Sequence, residues 1–158
     1  MSKFSGSDIV EFGVQIEKNG RDFYNALLKC TGNIKLKETF KFLAQAEEEH
    51  VKDFEKILDL VEKHEPSQVF TQEYFGYMKA SAKQYVFTEK DTGREIAENV
   101  KSESDGLDLG IDFEKKSIKF YQEMKKCIPE EGQGLLDELI SQEEGHLKNL
   151  ERLKSEFG

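Results

Sequence analysis

Apolar residues recur every three to four positions along four long stretches of the chain, a spacing that predicts four amphipathic helices. In the first, Val10, Val14, Tyr24 and Leu28 share a stripe with Gly20 or Arg21, and Glu17 sits in its middle. Ser7-Asp8 is expected to open this helix, a capping residue followed by an acid where the helix dipole favours negative charge. Thr31-Gly32-Asn33 stops it. A second helix is expected from Ile34 to about Lys63, with Phe40, Leu43, Glu47, His50, Phe54, Ile57 and Val61 inward. A third is expected over about 105–127. After the turn at Ile128-Pro129-Glu130-Glu131-Gly132, a fourth from about Glu131 to Phe157 turns Leu136, Leu139, Glu143, His146, Leu150 and Leu153 inward.

The stretch between the second and third helices is longer than a hairpin needs and crowded with aromatic residues: Phe70, Tyr74, Phe75, Tyr77, Tyr85 and Phe87. Phe70, Tyr74, Tyr77, Met78, Ala82 and Tyr85 keep helical spacing, which predicts a short helix over about 71–84, and another is expected near Arg94 to Val100. We read the stretch as the long crossover of a four-helix bundle, packed on the bundle's flank or against a second subunit. The fold class is all-α, and the chain is one domain, residues 1–158.

Charged residues inside apolar stripes need a partner. A carboxylate at Glu17 is either half of a buried salt bridge or a metal ligand, because a lone desolvated charge is costly. Glu47 and His50, three residues apart, are neighbours on one helix face, close enough to hold a common ion. An acidic helix produces that spacing by accident, but here it occurs twice. With an offset of 96, Leu43, Glu47, Glu48, His50, Lys52 and Glu55 recur as Leu139, Glu143, Glu144, His146, Lys148 and Glu151. With an offset of 97, Ser5, Ser7, Asp8, Gly13, Glu17, Lys18, Phe23, Tyr24, Lys29 and Cys30 recur as Ser102, Ser104, Asp105, Gly110, Glu114, Lys115, Phe120, Tyr121, Lys126 and Cys127. The third helix is therefore an internal copy of the first, and the fourth of the second. Each turn lies near the midpoint of its two glutamates, so in antiparallel hairpins Glu17 levels with Glu47 and Glu114 with Glu143. A turn displaced by three residues would separate those levels by about 9 Å.

Composition narrows the chemistry. A net charge of −9 argues against nucleic acid and against a basic membrane-surface helix. No apolar run approaches membrane-spanning length, and the stretch from Met1 to Asp8 has no apolar core of signal-peptide length, so a cytoplasmic location is expected. Two cysteines, Cys30 and Cys127, form no Cys-x-x-Cys pair. Each lies thirteen residues beyond its glutamate, about 20 Å along the helix and out of reach of a shared metal.

One Glu from each of two helices plus a Glu-x-x-His from each of the other two is the ligand set of ferritin-like di-metal bundles. The chain resembles a rubrerythrin-type domain in Ile16-Glu17-x-x-Gly20-x-x-Phe23-Tyr24, in Leu43-Ala44-x-x-Glu47-x-x-His50 and in their copies. It is similar to bacterioferritins in the same six positions, but Glu48 stands where those carry a haem-binding methionine. The resemblance implies a ferritin-like four-helix bundle in which Glu17, Glu47, His50, Glu114, Glu143 and His146 are both metal ligands and the catalytic set, with Glu47 and Glu143 bridging two iron ions. Manganese or zinc is the alternative. It also implies antiparallel first and third helices, which puts Cys30 and Cys127 at opposite ends with no disulfide between them. Tyr24 and Tyr121 either donate to these carboxylates or only pack.

The activity implied is a peroxidase or oxidase that reduces hydrogen peroxide or dioxygen. No rubredoxin-like domain follows the bundle, so electrons are expected from a separate donor, rubredoxin-like or a flavoprotein, and a homodimer is expected. Rubrerythrins carry an extra carboxylate one turn beyond Glu114, where this chain has Ser117. The alternatives are iron sequestration without turnover and a purely structural bundle.

Overall fold

Capping decides where the helices begin. The computed structural model describes residues 4–64, 69–85 and 92–157. In chain order they form β1 (Phe4–Ser5), α1 (Gly6–Cys30), α2 (Ile34–Lys63), β2 (Val69–Phe70), α3 (Gln72–Tyr85), α4 (Thr92–Glu98), α5 (Glu103–Lys125) and α6 (Glu130–Phe157). The first helix starts earlier than the expected Ser7-Asp8. Ser5 is its N-cap, and its backbone N donates to Asp8 Oδ2 at 2.8 Å, so the acid that the sequence suggested as a dipole partner closes the cap instead. The copy behaves alike: Ser102 caps α5 and accepts from Asp105 N at 3.1 Å, which moves its start from about 105 to Glu103. Asn33 caps α2 by accepting from Leu36 N.

The four long helices form a ring in which α1 meets α2 and α5, and α6 meets α2 and α5. The inward residues expected on α2 and α6 are all buried. Phe23, Tyr24, Phe40, Phe54, Phe113, Phe120 and Tyr121 fill the middle of the ring, each contributing about 1.5–3 kcal/mol by leaving water. Helices α1 and α5 run antiparallel: the start of α1 at Gly6 lies beside the Cys127 backbone, and Gly106 at the start of α5 lies beside Leu27. Cys30 and Cys127 are accordingly free, one exposed and one buried. No helix among the described residues is long and apolar enough to cross a membrane.

The crossover packs on the flank of its own bundle. Helix α3 lies against α5 and α1, burying Met78 and Ala82 and leaving Tyr77 exposed. Phe75 stacks on Phe4 at 3.9 Å between ring centroids and on Phe12 at 5.4 Å. These contacts secure the β1–β2 ladder, in which Phe4 pairs with Phe70. Phe87 and the Tyr85 side chain lie outside the described residues.

Helix α4 lies against α1 through one glycine. A Cβ on Gly93 would stand 2.1 Å from the Asn19 carbonyl oxygen, and the Gly93 amide donates to the buried Asn19 side chain at 3.3 Å. Only a residue without a side chain permits that approach. Gly134, in α6, has nothing within 4 Å of the same position. We expect Gly93→Ala to destabilise the fold by about 1–3 kcal/mol through overpacking. Gly134→Ala should stabilise it by about 0.5–1 kcal/mol through helix propensity. Urea denaturation of the two variants checks the pair, and equal shifts would contradict this account of how α4 docks.

Candidate metal centre

At mid-height of the ring the apolar core is interrupted by six ionisable side chains. Glu17 on α1, Glu47 and His50 on α2, Glu114 on α5, and Glu143 and His146 on α6 are all buried. The four helices deliver them to one place because both turns sit midway between their glutamates and because the halves are copies. Two overlapping groups result. Glu17, Glu47, His50 and Glu143 bring one donor atom each within 4.8 Å of one another, and so do Glu47, Glu114, Glu143 and His146. Glu47 and Glu143 belong to both.

Both imidazoles turn Nδ1 inward. His50 Nδ1 lies 2.8 Å from Glu143 Oε1 and 3.5 Å from Glu17 Oε2. His146 Nδ1 lies 3.4 Å from Glu143 Oε2 and 3.8 Å from Glu47 Oε1. The two rings stack at 5.6 Å. One Cβ would spoil the arrangement on α1: at Gly20 it would stand 3.2 Å from Glu47 Oε2 and under 3 Å from the Phe113 ring.

The tyrosines do more than pack. Tyr24 on α1 donates to Glu114 Oε1 on α5, and Tyr121 on α5 donates to Glu17 Oε1 on α1, both at 2.8 Å. Each tyrosine follows its own helix's glutamate by seven residues, and the antiparallel pairing carries its hydroxyl across to the other helix's glutamate. One oxygen of Glu17 and one of Glu114 are thereby engaged. The remaining atoms, Glu17 Oε2, Glu114 Oε2, both oxygens of Glu47 and Glu143, and both Nδ1 atoms, are buried without an aligned hydrogen-bond partner. Each such group costs about 1–3 kcal/mol. Two donors about 2.1 Å from one divalent ion stand about 3 Å apart when adjacent, so the residues fit a pair of metal ions. Carboxylate with imidazole is a donor set for iron, manganese or zinc.

Sequence reasoning missed two neighbours. Gln142 Oε1 lies 2.8 Å from His50 Nε2, and the Phe42 ring meets His146 edge-on at 5.9 Å. The signal was there in the repeat, where Gln142 aligns with Ala46. Glu48, copied as Glu144, points away from the cluster and pairs with Arg21 at 2.8 Å on the surface. Ser117 is buried, and its hydroxyl has no hydrogen-bond partner among the described residues. His64 is exposed at the end of α2.

Crowded carboxylates share protons. Burial, then repulsion from Glu143, raises Glu47 from 4.5 to about 7, and the same two causes hold Glu114 well above its ordinary value. Burial opposes charge on His50, but Glu143 and Glu47 outweigh it and raise its pKa to about 11. Burial also works against an ionised Glu143, yet the close approach of Glu114 and both imidazoles holds its pKa far below the usual range. In the metal-free cluster Glu143 is therefore ionised beside a protonated Glu114 and a protonated His50.

A pH dependence follows. Glu47 and Glu114 keep their protons to higher pH folded than unfolded, so between about pH 4.5 and 7 the folded chain binds more protons. His50 extends the imbalance upward, and Glu143 acts only below that window. Without metal, stability should fall as pH rises from 5 to 8, by an amount on the order of 3 kcal/mol for Glu47. Thermal melts of chelator-treated protein across that range check the sign, and a melting temperature that climbs with pH would contradict it.

Comparison with known proteins agrees with the geometry. A crystal structure of a Thermotoga maritima protein assigned as ferritin-like diiron-carboxylate superposes with a TM-score of 0.75 at 26% identity, covering 100% of this chain and 99% of the other. No curated protein matches the chain. The rubrerythrin family model matches residues 8–154, a span that contains all six buried ligand candidates and both tyrosines, and the chain belongs to the rubrerythrin family.

Proposed function

We propose that the chain is a non-haem di-iron oxidoreductase that reduces hydrogen peroxide or dioxygen with electrons from a separate donor. The observation that carries this reading is the pair of overlapping donor groups sharing Glu47 and Glu143. Glu17, Glu47, His50, Glu114, Glu143 and His146 would hold two ions, with Glu47 and Glu143 common to both donor groups. A ferrous pair bound there would supply the two electrons that, with two protons, reduce hydrogen peroxide to two waters, and the donor would return them.

The chain's own residues prepare that chemistry. Tyr24 and Tyr121 hold one oxygen of Glu114 and of Glu17, which leaves each carboxylate a single oxygen for a metal. The four carboxylates neutralise two divalent ions, while a diferric pair would carry two uncompensated positive charges, so the site favours further anionic oxygen donors once oxidised. The apolar residues Leu43 and Leu139, one turn before Glu47 and Glu143, and Phe113, beside Glu114, are themselves buried. The short reach and neutral hydroxyl of Ser117 add no fifth carboxylate, and this supports a site in which His50 and His146 are retained in both oxidation states.

Anaerobic loading with ferrous iron, followed by rapid mixing with hydrogen peroxide or dioxygen, tests the proposal. Two irons per chain should be oxidised per peroxide, faster than ferrous iron free in the same buffer. Loading without accelerated oxidation would leave sequestration as the better reading. Substitution locates the site. Glu17→Ala and Glu114→Ala should each lower iron stoichiometry below two per chain, whereas Glu48→Ala and Glu144→Ala should not. Glu48 loses only an exposed ion pair with Arg21, worth about 0–1 kcal/mol. Equal loss of iron in Glu48→Ala and Glu17→Ala would reject the assigned helix face.

A further inference from the structure

The two halves of the cluster are copies, yet the outer edges of their imidazoles meet different surroundings. Gln142 on α6 presents its carboxamide oxygen to His50 Nε2 at 2.8 Å. The ring must donate there, which keeps a proton on Nε2 and fixes the ring's rotation, so that once a metal displaces the Nδ1 proton the lone pair of Nδ1 faces inward. The copied position on α2 is Ala46, whose methyl neither donates nor accepts. Among the described residues, the ring that His146 meets there instead is Phe42, which is 57% exposed and held by a contact worth about 0.5–1.5 kcal/mol. His146 is 8% exposed against 1% for His50. Beside it Gly145, the copy of Glu49, leaves open space where a side chain would stand.

Accepting these six residues as metal ligands, we propose that the two metal positions are kinetically unequal. Gln142 is a positioning residue that locks the His50 half, and the His146 half is where metal enters and leaves. Release of an ion requires its histidine to swing aside. At His50 that motion breaks a hydrogen bond which also raises the basicity of the ligand nitrogen; at His146 it only displaces a surface phenylalanine. Partners of this kind are worth about 10–100-fold in metal affinity.

Protein loaded with two ferrous ions per chain and mixed anaerobically with excess ferrous chelator should release iron in two phases of equal amplitude, separated about tenfold or more in rate. Gln142→Ala should accelerate the slow phase by a similar factor and leave the fast one, and Gln142→Glu, which restores an acceptor, should bring the slow phase back. Ala46→Gln should slow the fast phase alone, and Phe42→Ala, which removes a surface ring, should accelerate it alone. A single phase from fully loaded wild-type protein, or a slow phase indifferent to Gln142→Ala, would overturn the inference while leaving the di-metal reading intact. Failure to load two ions would instead overturn the reading beneath it.

Discussion

Four carboxylates and two imidazoles have been taken out of water and set within a few ångströms of one another, and the rest of the molecule is arranged around that cost. Glu17, Glu47, Glu114 and Glu143 have essentially no solvent contact. In water their mutual repulsion would be weak, but in a protein interior like charges at such distances repel by several kcal/mol. Without metal the cluster responds by holding protons on Glu47, Glu114 and His50 and leaving Glu143 ionised between two histidines. Two divalent ions would displace those protons and set four positive charges against the four carboxylates, so the electrostatic problem and the proposed function are the same arrangement of atoms.

Duplication makes the arrangement possible. One helical hairpin supplies one glutamate and one Glu-x-x-His, too few groups for two ions. A second copy, running antiparallel to the first, supplies the other half and crosses the tyrosines, so that Tyr24 serves Glu114 and Tyr121 serves Glu17. The aromatic core around them, Phe23, Phe40, Phe54, Phe113 and Phe120, is what keeps the helices at the spacing these hydrogen bonds need. The crossover lies outside this symmetry. It covers the α1 and α5 flank through Met78, Ala82 and the close approach of Gly93 to Asn19.

Much of this was legible in the residues because helical periodicity is a local property that survives folding. The ends of α2, the inward faces of α2 and α6, and the convergence of Glu17, Glu47, His50, Glu114, Glu143 and His146 follow from spacing and from the midpoints of two turns. What spacing cannot carry is contact between helices at the level of single atoms. The cap at Ser5 was displaced to Ser7 because the Ser5–Asp8 interaction competes with an equally plausible cap two residues later. Packing alone accounts for Tyr24 and Tyr121 as well as hydrogen bonding does, even with antiparallel helices, until the 2.8 Å approach of each hydroxyl to the opposite glutamate is seen. Gln142 escaped notice because it lies one residue off the ligand stripe, on the exposed side, where an amide ordinarily only meets water.

The central claim is that the buried groups are a single site for two ions bridged by Glu47 and Glu143. Anomalous diffraction at the iron absorption edge, from crystals of iron-loaded protein, tests it most directly. The account predicts two peaks about 3.5–4 Å apart between the two donor groups, with Glu47 and Glu143 each spanning both ions and His50 and His146 bound through Nδ1 at opposite ends. One peak, or two that leave Glu47 or Glu143 outside the bridge, would contradict it.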